Sequence, residues 1–167
     1  IVTEVFYGGG QQRAPVAVEK QTMVGFVLTG HGDFATGVAS ALEMIAGPQE
    51  HFEVVPFHEG EEGEFPGKLT EALERAGADR NGAIAFCDLL GGTPFNQTMI
   101  LSAEMGANVE VVAGVNLPLL LEVVAERTEA STVDELLATA LEAGKTGVIH
   151  PTLDVDEPDG EDDGDGL

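Results

Sequence analysis

The chain has 167 residues, 43% of them hydrophobic and only 5% aromatic, with no Trp and one Cys. That length suits a single domain with its own core, built mainly from Ala, Val, Leu and Ile, and a lone Cys87 excludes an internal disulfide and fits a reducing compartment. A formal net charge of −23 makes nucleic acid and anionic membranes poor partners and favours a protein with a basic docking face.

Residues 1–22 open with a short β-type stretch, break at Gly8-Gly9-Gly10 and continue without periodicity. Met23 stands directly before the first strong strand, so 1–22 is expected to be an extension or a cloning remnant, with no function assigned. The N-terminus lacks the charged-then-apolar pattern of a signal peptide. No apolar run reaches the roughly 18 residues of a transmembrane helix. The expectation is a cytoplasmic protein with no direct membrane insertion.

Val24 to Thr29 is an apolar run ending at Gly30, the pattern of a strand buried on both faces. His31 and Gly32 follow, and Asp33 is a good helix N-cap. Phe34, Val38, Leu42 and Ile45 recur at helical spacing until Gly47-Pro48. Phe52 to Phe57 reads as a second strand. An acidic loop with Glu59, Glu61, Glu62 and Glu64 leads to a helix over Lys68 to Ala76, with Leu69 and Leu73 inward and Gly77 closing it.

Ala83 to Cys87 is a third buried strand, and Asp88 stands at its end. Beyond Gly91 and Gly92, Thr93 reads as an N-cap and Pro94 as the first helical residue, where its missing N–H costs nothing. That helix runs to about Met105. Asn108 to Ala113 is strand four, followed by Gly114-Val115-Asn116-Leu117-Pro118 and a helix over Leu119 to Glu126. Ser131, with Asp134 three residues on, reads as a variant capping box. The helix it opens has Leu136, Leu137, Ala140 and Leu141 on its apolar face and ends at Gly144. Thr146 to Ile149 is expected as a last short strand. Asp154 to Leu167 holds eight acids in fourteen residues, so 151–167 is expected to be a solvated, disordered tail. Residues 23–150 are acidic too, with twenty acids against five Lys and Arg.

This β-α alternation argues for an α/β fold: an open, doubly wound, mainly parallel sheet with helices on both faces and right-handed crossovers. Ligands of such sheets bind beyond the carboxyl ends of the strands, where strand order reverses. In the order 2-1-3-4 that point lies between strands one and three, which end in His31 and Asp88. Spacing alone does not give that order.

A neutral imidazole is nucleophilic at whichever nitrogen lacks the proton. A carboxylate that accepts a hydrogen bond from the other nitrogen selects the tautomer and stabilises the charge that develops on attack. Gly91, Gly92 and the helix start at Thr93 offer backbone N–H groups to an anion, and the Thr93 hydroxyl could add a donor. Gly30 and Gly32 keep side chains away from His31, leaving room for a second protein to approach. His31 and Asp88 are therefore the candidate catalytic pair for phosphoryl transfer, with Gly91, Gly92 and Thr93 as candidate phosphate contacts. Positioning and charge stabilisation are most of the catalysis in such a transfer.

Taken singly, each feature has a plainer reading: a loop histidine, a capping Asp, a turn of two glycines. Their convergence on one edge of one sheet carries the argument. His51, His58 and His150 read as surface residues, and Cys87 as a small core residue. No His/Cys spacing matches a zinc site, and Gly91-Gly92-Thr93 lacks the Lys of a P-loop, so neither metal nor cofactor is expected.

Gly30-His31-Gly32 after strand one, Asp88-Leu89-Leu90-Gly91-Gly92-Thr93-Pro94-Phe95-Asn96 after strand three and Gly114-Val115-Asn116-Leu117-Pro118 after strand four occur in order. Over Met23 to about His150 the chain resembles the mannose-family enzyme IIA (EIIA) domain of the bacterial sugar phosphotransferase system. The resemblance implies the 2-1-3-4 order, a homodimer, and a phosphohistidine at His31 with Asp88 as its hydrogen-bond partner. The family often has Ser where Thr93 stands, which keeps the hydroxyl. Transfer would run from the phosphocarrier HPr to His31 and on to a separate EIIB subunit, the sugar entering through a membrane permease. EIIA never touches the sugar, so its identity is not written in this chain. Two alternatives stay open: the phosphocarrier subunit of a dihydroxyacetone kinase, and a non-catalytic regulatory or ligand-binding domain on the same fold.

Overall fold

Short apolar runs, too apolar to leave either face in water, make the two central strands of this protein, while the two outer ones each carry a Glu and are partly exposed. The computed structural model describes residues 23–78, 81–105 and 108–152; the extension at 1–22 and the acidic run from Asp154 lie outside the described residues. Its elements are β1 (Gly25–His31), α1 (Phe34–Ala46), β2 (Phe52–Phe57), α2 (Phe65–Ala76), β3 (Ala83–Cys87), α3 (Thr93–Met105), β4 (Val109–Ala113), α4 (Leu117–Glu126) and α5 (Val133–Thr146). The strands form one parallel sheet in the order β2-β1-β3-β4. The expected strand order and helix alternation are both found.

Alternate residues of the central strands serve two cores, as the period of a strand requires. Phe26, Leu28, Ile84 and Phe86 face α1, α4 and α5, and pack with Leu119, Leu120, Val123 and Leu136. Val27, Ala83 and Ala85 face the other way and pack with Phe65, Leu69 and Leu73 of α2 and Leu101 of α3. Fully burying a Leu or Phe side chain contributes roughly 1.5–3 kcal/mol. Both faces of β1 and β3 are thus covered, and of their residues His31, at the end of β1, is the one that is exposed.

Several local expectations shift. Thr132, not Ser131, caps α5: its Oγ1 accepts from Glu135 N–H while the Glu135 carboxylate accepts from Thr132 N–H, a full capping box. Ser131 Oγ instead accepts from Thr128 N–H at 2.9 Å. The first helical bond of α3 closes on Gly92, whose carbonyl accepts from Asn96 N–H at 2.9 Å, so Thr93 is already inside the helix. Asp33 sits at the cap position of α1 without a side-chain capping bond. Ile45 is 62% exposed, because α1 runs on past Leu42, the last of its residues to reach the core. Leu141 is likewise half-exposed.

No strand forms over Thr146–Ile149. Gly144 does not end α5, which continues to Thr146. A Cβ at Gly144 would stand 3.0 Å from Leu119 Cδ1, so the glycine permits close packing of α5 on α4. The Gly144 carbonyl also accepts from Asn116 Nδ2 at 2.9 Å. Val148 and Ile149 beyond it are exposed. A strand needs a neighbour for its backbone N–H and C=O groups, and among the described residues no strand lies beside them.

Candidate functional site

The parallel register sets Thr29 of β1 beside Cys87 of β3. β1 continues two residues further, to His31, while β3 stops and Asp88 leads the chain away. The two side chains therefore arrive at one point on the carboxyl edge, between the central strands, where strand order reverses.

They are in direct contact. His31 Nδ1 lies 2.8 Å from Asp88 Oδ2, and the His31 backbone N–H donates to the same oxygen at 2.9 Å. Asp88 Oδ1 accepts from Leu89 N–H at 2.8 Å. Burial would raise the Asp88 carboxyl, but the bonds from His31 and Leu89 outweigh it and hold it below the ordinary range. An ionised acceptor at Nδ1 keeps the proton on that nitrogen of the neutral ring and leaves the Nε2 lone pair available. The imidazole side chain is 42% exposed and the carboxylate only 10%. The ring is thus open to a partner while its acid is sheltered.

Two glycines make this approach possible. A Cβ on Gly30 would fall 3.1 Å from both Cβ and Cγ of Asp88 and 2.8 Å from Phe34 Cδ1. A Cβ on Gly92 would fall 2.6 Å from His31 Cε1. Gly30 therefore makes room for the acid, and Gly92 lets the entrance of α3 close on the ring. Gly91 takes φ +79 in the turn before it, a conformation that favours glycine, and its carbonyl accepts from Asn96 Nδ2 at 3.0 Å. The first-turn N–H groups of a helix have no partner within it, so the start of α3 beside the ring is suited to an anion.

Other contacts were not foreseen. Phe57 of β2 packs edge-on against the imidazole, with ring centroids 5.8 Å apart. His58 does more than sit at the surface: it lies beside Asp33 on the same rim. The signal was present in its place directly after β2, and reading it needed the pairing of His31 with Phe57. Cys87 is fully buried, and burial pushes its thiol up to about 11. Among the described residues, no three His, Cys, Asp or Glu side chains converge as a metal cage would need. No helix among them is long and apolar enough to cross a membrane.

Residues 25–141 match the family EIIA-man, the phosphotransferase system (PTS) fructose IIA component. The chain belongs to the EIIA-man family. EIIA components are phosphotransferase proteins of sugar transport. The chain is 33% identical over 115 residues to the PTS system fructose-specific EIIA component of Bacillus subtilis, covering 68% of this chain and 77% of that protein. It is 32% identical over 126 residues to the mannose-specific EIIAB component of Escherichia coli K12, covering 75% of this chain but only 38% of that longer protein. Among solved structures, EIIA from Streptococcus agalactiae superposes with a TM-score of 0.66 at 34% identity, over 77% of this chain and 97% of that one. The mannose/sorbose-specific IIA subunit from Enterococcus faecalis gives a TM-score of 0.68 at 29% identity, over 79% and 97%.

Proposed function

We propose that this EIIA-man chain is a cytoplasmic phosphocarrier that accepts a phosphoryl group on Nε2 of His31 from phospho-HPr and passes it to an EIIB subunit. The observation that carries this reading is the 2.8 Å contact of His31 Nδ1 with Asp88 beneath an otherwise open ring. In the forward step the Nε2 lone pair attacks phosphorus, the new N–P bond forms and the donor's N–P bond breaks. Positive charge develops on the imidazole as it does so, and Asp88 stabilises it through the Nδ1 proton. Gly91, Gly92 and Thr93 at the start of α3 are the proposed contacts for the phosphoryl oxygens. The side chains of Leu89 and Leu90, half-exposed and exposed beside the site, offer apolar surface to a docked protein.

Incubation with enzyme I, HPr and labelled phosphoenolpyruvate tests the reading. Label is expected on wild type and absent from His31→Ala, with the fold retained because the ring is half open to solvent. Label retained in His31→Ala would refute the site. A folded wild type that takes up no label would favour a regulatory or ligand-binding domain. Onward transfer to an EIIB protein, as against a dihydroxyacetone kinase partner, separates the two carrier readings. A homodimer is also proposed; the outer edge of β4 and the exposed Val148 and Ile149 are the surfaces on which pairing or exchange across a two-fold would be sought. Sedimentation of wild type against Val148→Asp/Ile149→Asp tests it.

A further inference from the structure

His58 follows the last residue of β2, and its imidazole stands between two carboxylates. Nε2 is 3.2 Å from Asp33 Oδ1, and Nδ1 is 3.5 Å from Glu61 Oε2. Ionised carboxylates only accept, and a neutral imidazole donates from one nitrogen alone. Both contacts are satisfied together only by the imidazolium. The surrounding charges are of mixed sign. Glu61 Oε1 accepts from Lys68 Nζ of α2 at 3.0 Å, and Glu64 lies 3.7 Å from the same ammonium. Further along α2, Glu71 and Arg75 line the same groove, Arg75 bonding Glu53 of β2 at 2.9 Å. Glu59 and Glu62 add negative charge on the loop itself. The hydrogen bond with Asp33, with a further contribution from Glu61, raises His58 above its ordinary value of 6.5 despite some opposing desolvation.

The partner of this ring matters because of where it sits in the chain. Asp33 is two residues from His31, across Gly32, which takes φ +54 and donates its N–H to the Phe57 carbonyl at 2.7 Å. The turn that carries His31 is therefore tied to Asp88 on one side. On the other it is tied to the end of β2, through backbone at Phe57 and side chain at His58.

We propose that protonated His58 is a positioning residue for phosphoryl transfer at His31: held in place on the β2–α2 loop by Glu61, it clips that loop to the β1–α1 turn through Asp33. The proposal rests on the phosphocarrier reading. A group whose folded value is raised holds its contacts below that value and loses them as pH rises through it. On losing its proton the ring loses its charge attraction to both carboxylates. Glu61 stays held by the His58 backbone N–H at 3.2 Å and by Lys68, so the contact that weakens between turn and loop is the one with Asp33. The loosened turn then holds His31 less well for attack.

The test is kcat for transfer from phospho-HPr between about pH 6 and 8.5, the span over which a perturbed histidine titrates, in wild type, His58→Gln and His58→Arg. Wild type is expected to lose about two- to five-fold in kcat as pH rises, the scale of an exposed ion pair. His58→Gln should stay at the lower level throughout, and His58→Arg, which keeps charge and two donor directions, should hold the upper level. Titrations of HPr and of other groups are common to all three proteins. An NMR titration of the His58 ring should give a midpoint above 6.5 that falls in Asp33→Asn. A labelled wild type whose pH profile His58→Gln reproduces, or a midpoint unmoved by Asp33→Asn, overturns this proposal alone. A wild type that takes no label at any pH overturns the phosphocarrier reading and this proposal with it.

Discussion

One oxygen of Asp88 receives two hydrogen bonds from one residue: Oδ2 accepts from both the backbone N–H and Nδ1 of His31, at 2.9 and 2.8 Å. The first bond locates the end of β1 against the start of the β3–α3 turn. The second orients the ring. A single carboxylate thus sets both where the imidazole stands and which nitrogen faces outward.

Asp88→Asn is accordingly expected to fold and to transfer slowly. The amide oxygen can still accept, but the negative charge that stabilises an imidazolium is gone. A loss on the order of 10²-fold in rate is expected, the lower end for a positioned acid–base partner. Rapid-quench measurement of label transfer, with circular dichroism as the folding control, decides it; a fully active variant would show that the charge is dispensable.

The same contact has a pH signature in stability. Asp88 is held below its ordinary value of 3.8 in the folded protein. Its contribution is therefore complete above that value and lost as pH falls through the lower, folded one. Acid denaturation of wild type and Asp88→Asn should converge at the acid end, the variant lacking this part of the pH dependence. Parallel curves down to the lowest pH would contradict the assignment.

Gly92→Ala is expected to uncouple activity from folding. The new methyl would stand 2.6 Å from His31 Cε1, at a surface where the ring can turn away. Misplacing a reacting atom by about an ångström costs on the order of 10²-fold, while the stability change should stay near 1 kcal/mol, the low end for overpacking. The shifted His31 Cε1–H resonance and the transfer rate can be read on one sample.

Arg127 offers the opposite case. Its guanidinium is buried at the far edge of the sheet, donates to the carbonyls of Val24 at 3.1 Å and Glu50 at 2.7 Å, and lies 4.4 Å from the centre of the Phe26 ring. Burial lowers its value to about 10, so it stays charged at neutral pH. Arg127→Met removes both bonds, and a loss of roughly 2–4 kcal/mol is expected from two carbonyls left without donors. Urea denaturation measures it; phosphoryl transfer per folded molecule should be unchanged.

Cys87 should resist thiol reagents in the native state, since burial both covers it and pushes its thiol up to about 11; the thiolate is the reactive form. Labelling is expected only when urea is added. Rapid native labelling would mean that β3 opens readily.

The sheet was legible in the sequence because buried strands announce themselves locally. Phe52–Phe57, apolar but for Glu53, and Ala83–Cys87 are found at the expected bounds, each cut off by polar or glycine residues. Caps were less legible. Ser131 and Thr132 are both competent hydroxyls, and the choice falls to Thr132 because Val133, Leu136 and Ala140 then face the core. Gly144 reads as a stop signal until Leu119 is seen packed against it. His58 reads as an ordinary surface residue until the register sets Phe57 beside His31.

By itself the sequence determined the fold class, the two strands that end in His31 and Asp88, and the glycine-rich entrance to α3, since hydrophobic period and turn chemistry are written in neighbouring residues. Only the tertiary structure decided that one oxygen of Asp88 takes both His31 bonds, that Gly30 and Gly92 clear space around that pair, and that Asp33 meets His58. Those relationships join segments distant in the chain, His31 and Asp88 being 57 residues apart, and their distances depend on how the strands and helices pack, which no local pattern encodes.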